Sequence, residues 1–269
     1  MKQVQKIISA YVNQNYHVSL MLVFYFELTN IYMEKQKTFK EYILLFFLTF
    51  LAYGYLKLKS INAKKQLNLF FFSMYFIGIL YTSIYFFYLD LINKFLIVLL
   101  TCLSFFYRNP YISNKSLRKN PIIKILTVSF CWAILTSIFL NPNLPKITKF
   151  EVFHFFERLF FIISVCLVFE INDYDEDSSF QMSFPNIYGI KATRIVAIFF
   201  INVSLYFLLQ GFKDSSLYVI SILTMSLLSQ ILILTVKPKS HFYFTRLWAE
   251  ALPILPFLIL RVNLFIDFF

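Results

Sequence analysis

Long apolar stretches, broken by short polar turns, recur along all 269 residues of the chain. At about 20 apolar residues per bilayer crossing, the pattern predicts nine spans. They lie at roughly 17–33, 41–57, 67–88, 92–107, 121–140, 152–171, 192–210, 215–236 and 248–266. Nothing inside a bilayer can hydrogen-bond an open backbone, so these segments are expected to be helices and not strands. Most Pro and Gly residues fall near span ends, the main exceptions being Pro253 and Pro256 in the last segment. Neither inverted repeats nor helices broken at midmembrane are visible, which argues against a transporter.

Composition strengthens this picture. Hydrophobic residues make up 59%, aromatic residues 21% and charged residues only 14%, with a mean hydropathy of +0.68. A soluble domain carries about 25% charged residues. The expected fold class is therefore an all-α integral membrane protein, with residues 1–269 forming a single polytopic domain. Residues 1–16 are polar and include Lys2 and Lys6, and no small-residue cleavage pattern follows the first apolar run. The first helix is thus expected to stay as an anchor. Cys102, Cys131 and Cys166 sit singly in apolar runs, without metal or disulfide spacing. His17, His154 and His241 are isolated as well, with no zinc-binding companion.

The net charge of +11 is spread over short turns, which fits membrane topology and anionic headgroups and argues against nucleic acid. Cations favour one side of the predicted spans by two to one. That side holds Lys2, Lys6, Lys57, Lys59, Lys64, Lys65, Arg108, Lys115, Arg118, Lys119, Lys124, Lys191, Arg194, Lys237, Lys239 and Arg246. The positive-inside rule then gives a cytoplasmic N-terminus and an external C-terminus, although Lys35, Lys37 and Lys40 run against it.

Five of the fourteen carboxylates cluster in the nine residues 169–177, at the end of the sixth apolar segment. Helical spacing places Glu170, Asp173 and Asp177 at i, i+3 and i+7 on one face. Three carboxylates on one stripe repel each other unless something positive lies among them. A Mg²⁺ ion that keeps some waters and binds phosphate oxygens would meet that demand. The other reading is a solvated turn, or one paired with Lys191 and Arg194. Glu27, Glu157, Arg158 and Glu250 also lie inside or near spans and need partners. Glu157 and Arg158, being adjacent, are expected to point apart and pair across helices. Glu250 is expected to reach Arg118 or Arg246.

The acidic helix end continues through Ser183, Phe184 and Pro185 to Gly189. This segment resembles the second acidic motif of the UbiA superfamily of intramembrane prenyltransferases, in which a D-x-x-D-x-x-x-D helix end precedes a Thr-Leu-Pro-like step and a Gly-ended turn. Glu170, Asp173 and Asp177 match the acidic positions, Phe184 and Pro185 the Leu-Pro step, and Gly189 the terminal Gly. The stretch from Arg108 to Trp132 looks like the family's link into its fifth helix, and Trp248-Ala249-Glu250 with Pro253 like the start of its ninth.

The resemblance implies about nine helices in a bundle around a central cavity, in a bacterial inner (cell) membrane. It implies a polyprenyl group moved from its diphosphate to a hydrophobic acceptor, with Mg²⁺ held by Glu170, Asp173 and Asp177. Asp173 and Asp177 would be catalytic, and Asn172, Lys57, Arg118 and Lys191 would contact substrate. The sequence departs from the family at the end of the second helix. Residues 51–60 read LAYGYLKLKS, with no carboxylate where the family has its first acidic motif. Either Lys57 and Lys59 neutralise the diphosphate directly, or catalysis has been lost and a binder of isoprenoid lipid or of a membrane partner remains.

Overall fold

A computed structural model describes residues 2–33, 36–58, 68–109, 116–141, 148–174, 183–211, 216–240 and 244–266. The described residues are helical throughout. The helices are α1 (Lys2–Asn13), α2 (Tyr16–Tyr32), α3 (Phe39–Leu58), α4 (Leu69–Tyr88), α5 (Leu91–Arg108), α6 (Pro121–Ala133), α7 (Lys149–Asn172), α8 (Phe184–Tyr188), α9 (Ile190–Gly211), α10 (Ser216–Thr235) and α11 (Ile254–Ile266). A π-helical turn (Ile134–Ile138) extends α6, and another (Phe244–Ala249) precedes α11. Seven described helices are long and apolar enough to cross a membrane: α3, α4, α5, α6 with its π turn, α7, α9 and α10.

Helix starts follow from caps built into the short connections. Asn68 caps α4 by accepting from the Phe71 amide, and Asp90 caps α5 by accepting from the Asn93 amide at 2.7 Å. Asn120 accepts from the Ile122 and Ile123 amides, with Pro121 at the first helical position of α6. Thr148 and Glu151 form a reciprocal capping box at the start of α7.

Each predicted span holds a helix, with two corrections. The polar start of the chain forms the separate helix α1, divided from α2 by Asn15 in a left-handed conformation (φ 68°). Its apolar residues Val4, Ile7, Ile8, Tyr11 and Val12 follow the spacing of a one-faced helix. The last predicted span is not one helix. The π turn ends in a turn at Leu252–Pro253, and α11 begins only at Ile254. Pro253 has no amide hydrogen to continue the ladder, and its ring crowds the preceding turn.

The neighbours close into a ring: α2 packs on α3, α3 on α4 and α5, α5 on α6, α6 on α7, α7 on α9, α9 on α10, α10 on α11, and α11 back on α2. Helix α7 buries Phe161, Ile162, Ile163, Leu167 and Ile171 among its neighbours. Gly54 and Gly78 let α3 and α4 approach closely. An added Cβ at Gly54 would meet the Tyr75 ring at 2.6 Å, and one at Gly78 the Phe47 ring at 2.7 Å.

Candidate active site

At the end of the bundle where α3 and α7 finish and α6 begins lies a cavity of about 270 Å³. Its charged lining is Arg118, Lys124, Glu170, Asp173, Arg246 and Glu250. A larger, partly open chamber of about 630 Å³ adjoins it, set among α3, α4, α5 and α6 and lined mainly by apolar and aromatic side chains such as Leu51, Leu56, Phe86 and Phe105. Tyr53, Tyr107, Val128 and Trp132 line both. The Trp132 indole donates to the Tyr53 hydroxyl at 3.1 Å, fixing two of these shared walls. A small charged space and a long greasy one therefore meet at an aromatic partition.

The charged residues come from chain ends brought together by antiparallel packing. Lys124 lies in the first turn of α6 and Glu170 in the last turn of α7, so the two meet at 2.5 Å, with the Glu170 side chain only 4% exposed. The other oxygen of Glu170 accepts from the Phe184 amide at 3.2 Å, tying α7 to the start of α8. Gly189, at φ 82° and ψ 156°, then turns the chain from α8 into α9. That region of backbone space is open almost only to glycine. The loop after α10 folds back, and its Lys239 amide donates to the Asn172 carbonyl at the end of α7.

The expected site residues are distributed as follows. Glu170 and Asp173 line the charged cavity. Asp177 lies outside the described residues. Asn172 does not line the cavity; its side-chain amide donates to Asp173 at 3.0 Å and orients that carboxylate. Arg118, on a 3₁₀ turn (Leu117–Lys119), lines the cavity, and its Nε is buried without a hydrogen-bond partner. Lys57 is not in the lining. Its ammonium donates to the Asn13 carbonyl, joining α3 to α1, and lies within electrostatic reach of Glu250 and Arg246. Lys191 is exposed at the start of α9 and does not line the cavity.

Among the site residues, Lys124 looked from the sequence like a topological cation only, and Arg246 like one or like a partner of Glu250. The readable signal for Lys124 was its depth, since the first turn of one helix faces the last turn of its antiparallel neighbour. Glu250 lines the same cavity as Arg118 and Arg246.

Of the carboxylates that the resemblance assigns to Mg²⁺, two are described. Glu170 has both oxygens engaged, one by Lys124 and one by the Phe184 amide, and Asp173 accepts from Asn172. Among the described residues no group of three His, Cys, Asp or Glu side chains is placed to hold a metal ion. In the described part of the site, the counter-charge on Glu170 is a lysine.

At the far end of the bundle the other membrane charges pair structurally. Arg261 contacts Glu27 at 2.8 Å, and Tyr42 donates to the same carboxylate. Glu157 and Arg158 do not part as adjacency suggested. Arg158 Nε stays 3.4 Å from Glu157, while its guanidinium reaches the Tyr218 hydroxyl at 3.0 Å and lies over the Tyr25 ring at 3.7 Å. Both side chains are fully buried, where an uncompensated charge is costly, and they fold back on each other.

The bundle resembles a solved structure of a digeranylgeranylglyceryl phosphate synthase in membranes, with a TM-score of 0.54 over 96% of both chains. The fold is UbiA-like. Sequence identity to that chain is 13%, so the likeness carries the architecture and not the reaction. No family model and no curated protein matches the sequence.

Proposed function

We propose that this UbiA-like membrane protein transfers a polyprenyl group from its diphosphate to a hydrophobic acceptor. The observation that carries the proposal is the partition between the two cavities. An isoprenoid diphosphate has one charged end and one long apolar end, and the paired spaces match that division. The diphosphate enters the charged cavity against Arg118, Lys124 and Arg246, and the chain extends into the chamber. The allylic carbon–oxygen bond breaks, and its electron pair leaves with the diphosphate, stabilised by these fixed cations. Tyr53, Tyr107 and Trp132 at the partition present ring faces to the carbocation. The acceptor supplies the electron pair of the new bond and sheds a proton, for which Asp173 is a described carboxylate in the cavity lining. The charged end faces the cytoplasm, following the excess of cations there.

Radiolabelled prenyl diphosphate turnover in proteoliposomes tests this. The wild type is expected to form a prenylated, organic-soluble product, and Asp173→Ala to lose most of that activity. In sealed vesicles, substrate added to the cytoplasmic face is expected to be consumed first. No binding and no turnover across several chain lengths would refute the proposal. A second reading, a catalytically silent isoprenoid-lipid binder, draws on the missing carboxylates at the end of α3 and on the engagement of Glu170 by Lys124. Tight binding without turnover would select it.

A further inference from the structure

We infer that the charged cavity recognises an isoprenoid phosphate through side-chain cations, in place of the divalent metal that the resemblance implies. The inference rests on the reading above of an isoprenoid phosphate as ligand, and it deepens that reading. Among the described residues, Arg118, Lys124 and Arg246 line the cavity together with Glu170, Asp173 and Glu250, and Lys57 lies within electrostatic reach of Glu250 and Arg246. The described lining thus holds three cations beside three carboxylates, with Lys57 outside it. A divalent cation needs a cage of net negative charge, which these described residues do not provide, whereas fixed cations favour an anion directly.

Individual placements agree with this balance. The Lys124 ammonium sits 2.5 Å from the Glu170 oxygen that a metal would have to take. The second Glu170 oxygen is held by a backbone amide and fixes the α7–α8 junction. At the end of α3, Lys57 occupies a stretch with no carboxylate at all. Arg118 adds an independent sign of an anion: its Nε is a buried donor on the cavity wall with no acceptor. A buried donor is normally satisfied, and a guanidinium is suited to grip phosphate oxygens with two parallel N–H groups. A phosphate oxygen would supply the acceptor that the described residues do not.

The test is equilibrium binding of tritiated geranylgeranyl monophosphate and diphosphate to the full chain in nanodiscs, with EDTA and with Mg²⁺. The expected affinities in the two conditions agree within about twofold for at least one of the two lipids. Comparing the lipids tells whether one phosphate suffices. Arg118→Ala is expected to weaken binding about tenfold or more, with Arg118→Lys in between because it keeps the charge and loses the fork. Because a variant can fail for want of folding, manganese titration of the wild type by electron paramagnetic resonance is the second readout, and it should find no tight site. Binding that vanishes in EDTA and returns with Mg²⁺, or a tight manganese site, would overturn metal-free recognition while leaving the proposed ligand intact. Failure of both lipids to bind in either condition would overturn both proposals.

Discussion

At the residue scale, the site turns on a lysine and a glutamate from two antiparallel helices. Lys124 and Glu170 are largely buried and in direct contact. Removing one partner strands the other charge, so Lys124→Ala is expected to lose about 3 kcal/mol of stability, seen as a lower melting temperature in detergent. Adding Glu170→Gln should recover part of that loss, because the neutral amide no longer needs a cation; strictly additive effects would mean that the pair is not coupled. The sequence marked one half of this arrangement. Glu170 and Asp173 stood out because helical spacing and a rare acidic cluster are local signals. Lys124 was hidden among inner cations, since its role depends on a helix whose residues lie more than forty positions away. The same limit explains Glu157 and Arg158. Adjacency predicted divergence, but complete burial forced the guanidinium back toward its neighbour and onto Tyr25 and Tyr218.

At the scale of elements, apolar length was a reliable guide and backbone irregularity was not. Helices α3 to α7, α9 and α10 lie where runs of about 20 apolar residues placed them. What escaped was α1, whose one-faced apolar spacing hides in a polar stretch, and the interruption of the last span at Pro253. That interruption matters to the site, because the π turn before it carries Arg246 and leads into Glu250. Such turns are often found at functional sites. The junction of α8 and α9 depends on Gly189 in a conformation closed to other residues. Gly189→Ala meets no atom within 4 Å, so any loss comes from the backbone alone and is expected at about 1–3 kcal/mol. Thermal melting together with isoprenoid binding would check this. An unchanged melting temperature would mean that the junction relaxes freely.

At the scale of the molecule, a ring of helices forms two adjoining spaces, one with charged residues in its lining and one mainly apolar, and the resemblance in sequence and the likeness in fold converge on the same architecture. The acidic motif alone could not show that its cavity adjoins a mainly apolar chamber, nor that Arg118, Lys124 and Arg246 line it beside the carboxylates. Both are products of packing between segments distant in the chain. The central claim is that the two spaces form one site for one amphipathic ligand. The most direct measurement is photo-crosslinking with an isoprenoid diphosphate carrying a diazirine on its distal end, followed by mass-spectrometric mapping. Labels are predicted on chamber residues of α3, α4 and α5 such as Leu51, Phe86 and Leu100, and they should disappear with Arg118→Ala or an excess of unlabelled lipid. Labels confined to the lipid-facing surface of the bundle, or unaffected by competitor, would contradict the account.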